Sequence, residues 1–323
     1  MKKIGRVLAI VLVVCLVLVG CSSGKGKGNG ETAKLSIAYQ YGFAYIPLQI
    51  MQEQKLIEKH YGQPVAIDWQ VIASGSAINE GIIAGSIDVA GMGIPPLVTG
   101  VANGVPYKMY SGLSVQPMGM HTFRSDLNSL ADFAQDDKIA LVSYGSIQHI
   151  SLALACEAEL GDPHALDDNI LNMSNPDGMQ ALISETVAAH VTLAPYLNME
   201  EDMEQMHEIE AVRKSFPAGY QVVVAVATEK LHDENPALYD AVVKATAEAI
   251  DYVNENLPEV AEMMYEQEGV DLETMQRYLN AEGLLYSTST TGVLELSEFM
   301  GRTGMVENAP ATLEEIAFEN LLD

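Results

Sequence analysis

Short apolar runs alternate with helical patterns along much of the chain, and this alternation limits the possible folds more than any other feature. In the first block, strand-like runs and helical patterns follow one another at 35–39, 45–60, 65–71, 75–84, 87–90, 95–102 and 108–113. Strands separated by helices are typical of βα units around a mostly parallel sheet. The sequence therefore predicts the α/β class.

A second block of the same kind begins near Gln116. Its strand-like runs lie at 118–123, 138–142, 170–173 and 187–193, with helical patterns at 147–160 and 178–184. The run 220–227 is the most apolar strand pattern in the chain, and the pattern after it is helical almost to the end. A length of 323 residues is typical of about two domains, which agrees with the two blocks of alternating strands and helices.

Glycine and serine are concentrated where predicted strands end and helices begin. Three such junctions are Ser74-Gly75-Ser76, Gly91-Met92-Gly93 and Ser143-Tyr144-Gly145-Ser146. In open α/β sheets, ligands bind at the carboxyl ends of the strands, where helix N-termini present free backbone N–H groups. We therefore expect a ligand site at these junctions.

The candidate ligand-binding residues are those at or near these strand ends: Tyr39, Gln40, Tyr41, Phe43, Ser74, Gly75, Ser76, Gly91, Met92, Gly93, Ser114, Tyr144, Gly145, Ser146, His149, Thr192 and Pro195. Alternative interpretations exist for several of them. The serines suit helix capping, and the aromatic residues near position 40 suit core packing under the first helix. His149 suits either an anion donor or an ordinary position in the first turn of a helix.

Composition excludes several functional classes. With 17 basic and 44 acidic side chains the net charge is -27, which opposes binding to a phosphate backbone, so no nucleic-acid partner is expected. Three cysteines cannot form a disulfide framework, and the seven histidines show no metal-ligand spacing. Nucleophile-elbow, zinc-protease, P-loop and complete dinucleotide motifs are absent from the sequence. We expect a binding protein without metal or cofactor rather than an enzyme.

The N-terminus has the pattern of a bacterial lipoprotein signal. A basic start precedes the apolar run 7–19, which is too short to span a bilayer permanently, and Gly20-Cys21 follows. We expect residues 1–20 to be a signal peptide, Cys21 to be the lipidated residue and 21–31 to be a flexible tether. An ordinary secretory signal with an incidental Cys21 is the alternative.

The order of local motifs resembles a known family. The motifs are Ala38-Tyr39-Gln40, Ile46-Pro47-Leu48, the segment 80–93 that contains Ala84-Gly85-Ser86-Ile87-Asp88, the segment 145–149, the segment 181–190 and Ala194-Pro195-Tyr196. They are similar to those of the substrate-binding proteins of ABC importers for nitrate, sulfonates and taurine, a family that also includes receptors for thiamine pyrimidine precursors. The similarity covers about residues 35–256 and is most specific at 84–88.

This resemblance implies a periplasmic-binding-protein fold of type II, with two α/β lobes, a ligand cleft between them and two chain crossings. Lobe I would comprise 32–117 and 220–323, and lobe II 118–219. Together with the lipoprotein signal, the resemblance predicts a lipid-anchored receptor on the extracytoplasmic face of the cell membrane. It would be monomeric and would deliver a sulfonate-, taurine- or nitrate-type anion to an ABC permease and its ATPase.

The arginines argue against a charged clamp for that anion, because none of them lies in a proposed binding loop. A receptor for a small aromatic heterocycle, such as a pyrimidine precursor of thiamine, therefore stays open as an alternative. A pyrimidine-precursor enzyme on the same fold and a membrane-tethered sensor without a transporter are two further alternatives.

Overall fold

The computed structural model describes residues 32–322, so the predicted signal peptide, Cys21 and the tether lie outside the described residues. The strands of the described part are β1 (Ala33–Tyr39), β2 (Val65–Val71), β3 (Val89–Gly93), β4 (Tyr107–Val115), β5 (Gly119–Thr122), β6 (Ile139–Leu141), β7 (Ile170–Asn172), β8 (Ala189–Thr192), β9 (His207–Glu208), β10 (Gln221–Thr228) and β11 (Leu285–Tyr286).

The α-helices of the same residues surround these strands. They are α1 (Ile46–Glu53), α2 (Leu56–Tyr61), α3 (Gly75–Ile83), α4 (Ile94–Ala102), α5 (Ile147–Leu160), α6 (Asn175–Ile183), α7 (Tyr196–Glu201), α8 (Ala211–Ser215), α9 (Glu229–Glu234), α10 (Pro236–Glu255), α11 (Leu257–Glu268), α12 (Leu272–Leu279), α13 (Val293–Arg302) and α14 (Leu313–Ile316). The predicted α/β class is confirmed.

The strands form two separate sheets. The first has the order β11-β4-β10-β3-β1-β2, and the second has the order β7-β6-β8-β5-β9. In the first sheet β1 runs parallel to β2 and β3, whereas β10 is antiparallel to β3 and β4. In the second sheet β6 runs parallel to β7 and β8, and β5 is antiparallel to β8.

The chain passes between the two sheets twice. It leaves the first sheet after β4 and enters the second at β5, and it returns after α8 to form β10. We call the first sheet with its helices lobe I and the second sheet with its helices lobe II. The boundaries at 117/118 and 219/220 stay a proposal.

One predicted helix is two helices in the structure. The pattern predicts a continuous helix over 45–60, but α1 ends at Glu53 and α2 begins at Leu56. Lys55 lies between them in the left-handed region with a φ of 51°. Because this conformation is incompatible with a continuing right-handed helix, the chain changes direction although the apolar periodicity continues.

Helices start where parallel strands end, and serines cap three of them. Ser74 accepts a hydrogen bond from the N–H of Ala77 at the start of α3, and Ser146 accepts one from the N–H of His149 at the start of α5. Ser174 caps α6 in the same way through the N–H of Asp177. Side-chain capping satisfies an N–H that has no partner within the helix.

Membrane-crossing helices were sought in residues 32–322 only. Within that range no helix combines the length and the apolar character that a membrane span requires.

Candidate functional site

A small cavity of about 20 Å³ lies between the two lobes. Its walls come from strand ends and helix starts of both sheets. The lining residues are Gln40, Tyr41, Tyr45, Ala73, Gly75, Gly93, Pro96, Val142, Ser146, Ile147, Gln148, Asn175, Leu193 and Val223. The structure therefore brings five predicted residues together at one cavity: Gln40, Tyr41, Gly75, Gly93 and Ser146.

Lobe I contributes mainly backbone and neutral polar groups. Gln40 follows β1 directly, and its buried side chain has no hydrogen-bond partner among the described residues. Gly75 begins α3, where a Cβ would lie 2.4 Å from Pro96 Cγ. Because that distance is far below a van der Waals contact, only glycine allows α3 to start against the Pro96 ring.

Lobe II contributes three polar side chains from two helix starts. Ser146 and Gln148 lie at the start of α5, and Asn175 is the first residue of α6. The Gln148 Nε2 amide donates to Asn175 Oδ1 at 3.2 Å. Gln148 Oε1 and Asn175 Nδ2 have no partner within the described residues, so an acceptor and a donor remain at the cavity wall.

The cavity is polar but carries no formal charge on its lining side chains. Burial raises the pKa of Tyr45, so this phenol stays protonated and neutral. The four arginines within residues 32–322 pair with carboxylates elsewhere: Arg124 with Asp126 and Asp137, Arg213 with Glu201 and Glu208, Arg277 with Asp202, and Arg302 with Glu157. The hydrogen-bonding capacity therefore comes from carboxamides, hydroxyls and backbone N–H groups.

Four predicted residues line a neighbouring cavity of about 160 Å³ instead: Ser76, Tyr144, Gly145 and His149. Both ring nitrogens of the buried His149 are already bonded. Nδ1 accepts from the Gly145 N–H at 3.1 Å, and Nε2 lies 3.1 Å from Asp167 Oδ1. Tyr144 stacks on the same ring with a centroid distance of 4.1 Å. His149 thus supports the loop before α5, and its nitrogens are not directed at the first cavity.

The structure places the other predicted residues outside both cavity walls. Phe43, Met92, Ser114 and Thr192 are buried, with relative exposures of 0%. At Gly91 a Cβ would lie 2.8 Å from Leu48 Cδ1, so this glycine allows close core packing. The Ser74 hydroxyl caps α3, and the Tyr39 ring packs edge-on against Trp69. The peptide bond between Ala194 and Pro195 is cis, and the Ala194 carbonyl accepts a hydrogen bond from the Phe43 N–H of lobe I.

Sequence reasoning missed most of the side chains that line the first cavity, above all Gln148 and Asn175. The sequence holds a signal for Asn175 that was not used. Asn175 follows Ser174 just as Gly75 follows Ser74, and each pair comes after the edge strand of its sheet. Gln148 lies two residues beyond the Ser146 cap, a position from which a side chain can face the junction.

Two groups that suggest chemistry lie away from the cavity. Burial raises the pKa of the Cys156 thiol to about 12, so it is not an activated nucleophile. His121, Glu201 and Glu208 bring three possible metal-ligand atoms within 4.8 Å of one another. Arg213 already binds both carboxylates, through Nε to Glu208 at 2.6 Å and through Nη2 to Glu201 at 2.5 Å. This cluster is therefore an ion-pair network within lobe II.

Comparison with solved structures identifies similar folds. The alkanesulfonate-binding protein SsuA from Xanthomonas axonopodis pv. citri, bound to MOPS, matches with a TM-score of 0.71 and 17% identity over 88% of this chain and 98% of that chain. The periplasmic aliphatic sulphonate binding protein SsuA from Escherichia coli matches with a TM-score of 0.67 and 18% identity over 90% and 93%. The periplasmic nitrate-binding protein NrtA from Synechocystis matches with a TM-score of 0.59 and 18% identity over 76% and 69%.

These likenesses establish a shared fold, that of periplasmic binding proteins. Among curated proteins, no sequence match was found. The profile of the NMT1-like family matches residues 28–265, which is more than half of the chain and includes every residue that lines the first cavity. The resemblance in the sequence motifs is thereby confirmed at the family level, and the chain belongs to the NMT1-like family.

Proposed function

We propose that the protein is the solute-binding receptor of an ABC importer, with a small molecule held between its two lobes. The observation that carries this proposal is the interlobe cavity, where helix starts and neutral polar side chains from both lobes converge. Such an arrangement gives directed hydrogen bonds from two bodies to one solute. The proteins of similar fold are named as binding proteins for sulfonates and nitrate, which supports the same function.

Binding in this cavity requires the lobes to move. A volume of about 20 Å³ has room for little more than one water molecule, so a solute needs wider spacing to enter. Within residues 32–322 only two chain crossings connect the sheets, which suits hinge motion. Two bidentate ion pairs, Arg302 with Glu157 and Arg277 with Asp202, join the lobes and favour the closed arrangement.

Two ligand classes are candidates. A sulfonate-, taurine- or nitrate-type anion is supported by the printed names of the similar structures. A small uncharged heterocycle, such as a pyrimidine precursor of thiamine, is supported by the cavity itself. Its carboxamides, Gln40, Gln148 and Asn175, offer both donors and acceptors, and no cationic side chain among the described residues lines it. Neutral donors suit a ring amide or an aminopyrimidine better than a full negative charge.

The proposed location is the extracytoplasmic face of the cell membrane, through lipidation of Cys21. The segment 1–20 carries the signal pattern, and a receptor must stay close to its permease to deliver solute. The proposed partners are an ABC permease and its ATPase, and the receptor acts as a monomer. Replacing Cys21 with alanine should release the protein from membranes. Retention of the Cys21→Ala variant on membranes, or an unmodified Cys21 in the membrane-bound unchanged protein, would refute the anchor.

The competing proposal is a pyrimidine-precursor enzyme on this fold. Against it stands the burial of Cys156, which raises the pKa of its thiol and disfavours the thiolate at neutral pH. The discriminating experiment is mass spectrometry of small molecules released from the purified protein, followed by incubation of each with fresh protein. The receptor proposal predicts that the solute is recovered unchanged and raises the melting temperature. At a solute concentration a hundredfold above Kd, the free energy of unfolding should rise by about 2.7 kcal/mol. Conversion of the solute to product would favour the enzyme.

A further inference from the structure

The cavity of about 160 Å³ beside the first cavity has a different chemical character. Its wall includes Met300 and Met305 from α13 and the turn after it, Ile150 from α5, and the ring of Tyr144. None of its lining residues among those described is an aspartate, glutamate, lysine or arginine. Thioether, aliphatic and aromatic surfaces suit a nonpolar group of adaptable shape.

Several polar side chains in this second wall already have partners, although the hydroxyls of Thr99 and Ser143 have none among residues 32–322. Asn79 Nδ2 donates to Pro96 O at 3.0 Å, and Asn79 Oδ1 accepts from the Tyr107 hydroxyl at 2.8 Å. Ser76 Oγ lies 3.0 Å from Ser74 Oγ, and His149 is bonded through both nitrogens. The first cavity differs in its carboxamides, which keep unused donors and acceptors, whereas both atoms of the Asn79 carboxamide in the second cavity are bonded.

The two cavities share a partition. Pro96 lines both of them, and Gly75 lies against the Pro96 ring so closely that a Cβ would be 2.4 Å away. On the lobe II side the adjacent residues Gly145 and Ser146 line the second and the first cavity respectively. The partition therefore contains parts of both lobes, so separating the lobes opens one cavity to the other.

We propose that the second cavity is a subsite for a nonpolar extension of the solute whose polar head lies in the first cavity. The solute class is then a compact hydrogen-bonding head that carries a short alkyl chain or a single ring. A cavity of about 150 Å³ can hold a benzene ring, so the space of about 160 Å³ limits the extension to about that size. This inference rests on the proposed function, since it assigns a second part to the same solute.

The test uses two pairs of probes that differ only in the extension. Methanesulfonate is compared with butanesulfonate, and 5-methyl-4-aminopyrimidine with 5-butyl-4-aminopyrimidine, by calorimetric Kd on residues 21–323. Burial of each methylene is worth about fourfold in affinity, so in the pair whose head binds we expect the butyl compound to bind on the order of 50-fold more tightly.

Two variants and one control test whether the tighter binding of the butyl compound arises in the second cavity. Ser76→Phe places a ring from an exposed position into the second cavity and should remove the gain, while the short probe keeps its Kd. Met305→Ala enlarges the cavity and should extend the gain to a hexyl compound. Ser125→Phe makes the same change at an exposed position away from both cavities and should alter neither Kd.

The outcomes separate the two proposals. A butyl gain that Ser76→Phe removes supports the subsite. If the short probes bind but the butyl chain adds no affinity, or if Ser76→Phe leaves the gain intact, the subsite is overturned and the receptor function stands. If no probe binds, neither a sulfonate nor an aminopyrimidine head occupies the first cavity, and the subsite proposed for extensions of those heads is overturned.

Discussion

The two lobes contain the same strand–helix–strand unit, built on different interiors. Each residue of the unit in lobe I corresponds to the residue one hundred positions later in lobe II. Ser74 and Ser174 cap α3 and α6, and Gly85 and Glu185 both have positive φ after those helices. In the same turn the N–H of Ser86 donates to Gly81 O, and the N–H of Thr186 donates to Ala181 O. The backbone plan is thus repeated in detail.

The strand that follows differs sharply between the units. In lobe I, β3 is Val-Ala-Gly-Met-Gly, fully buried against apolar side chains. In lobe II, β8 carries His190, whose Nδ1 lies 2.6 Å from Glu200 Oε1, and His121 Nδ1 lies 3.2 Å from Glu200 Oε2. All three side chains are buried. One backbone plan therefore tolerates either an apolar interior or a buried carboxylate between two imidazoles.

The two units also contribute different groups to the first cavity. The first residue of α3 is Gly75, which offers backbone and close contact with Pro96, whereas the first residue of α6 is Asn175, which offers an amide. Lobe I therefore supplies shape at this position, and lobe II supplies hydrogen bonds. Four predictions test this contrast, in order of decreasing effect.

The largest effect is expected at Glu200. Burial alone would raise the pKa of this carboxyl, but His190 and His121 hold it below its ordinary value. Glu200→Ala leaves two imidazoles buried without their acceptor and should cost about 3–5 kcal/mol in urea unfolding. Because the folded pKa is lowered, the stabilisation is present above the unfolded pKa of about 4.3 and is lost as pH falls through the folded value.

The control for this prediction is the neighbouring Glu201, which is exposed and pairs with Arg213. Glu201→Ala should cost no more than about 1 kcal/mol. Equal losses from the two variants would mean that the buried cluster contributes nothing special to lobe II.

The next effect compares Gly75 with Asn175. Gly75→Ala places a methyl group against Pro96 and should cost about 1–3 kcal/mol of stability, because neither the helix start nor the ring can give way easily. Asn175→Ala removes the bond from Gln148 and should cost about 1 kcal/mol. Urea unfolding of both variants checks the order, and a larger loss from Asn175→Ala would reverse the assignment of shape to lobe I.

The two caps should respond alike. Ser74→Ala and Ser174→Ala each remove one acceptor for a helix N–H, and each should lower the free energy of unfolding by about 1 kcal/mol. Neither side chain lines the first cavity, so solute affinity should hold. A loss of affinity in either variant would show that the serine replaced there contacts the solute.

The smallest effect concerns pH and the interlobe contact of His164. The Thr303 carbonyl of lobe I and the Asp167 carboxylate of lobe II face its two ring nitrogens, at 2.9 and 2.8 Å, and together they raise the pKa of His164. Only the protonated ring donates to both acceptors. Because its pKa is raised, this support for closure is present at a pH below the folded pKa of His164 and is lost as pH rises through it.

Solute affinity should accordingly weaken modestly between pH 6 and pH 8, and His164→Gln should flatten that change. His232 provides the control, because its pKa is also raised but its partners Asp233 and Glu319 lie in lobe I. His232→Gln should leave the pH dependence of affinity in place. A flattened profile in both variants would show that closure is not the step that titrates.

Local sequence signals predicted the scaffold better than the site. The apolar runs and the glycine and serine junctions identified the α/β class and five of the cavity residues, because these features depend on neighbours in sequence. The break at Lys55 was missed, since its left-handed backbone leaves the apolar pattern unchanged. His149 was predicted to face a ligand, but Asp167, distant in sequence, binds its Nε2. Gln148 and Asn175 face the cavity together because lobe II brings the starts of α5 and α6 within hydrogen-bond distance.

The central claim is that polar groups from both lobes bind one solute. A double-mutant cycle between Gln40 of lobe I and Asn175 of lobe II tests it, with calorimetric Kd for whichever of taurine, methanesulfonate and 5-methyl-4-aminopyrimidine binds best. We predict that Gln40→Leu and Asn175→Leu each weaken binding by about fivefold or more and that their effects are not additive, because both amides contact the same molecule. Gln52→Leu, on the exposed face of α1, should leave Kd unchanged. Full affinity in both single variants would contradict the claim and place the solute elsewhere.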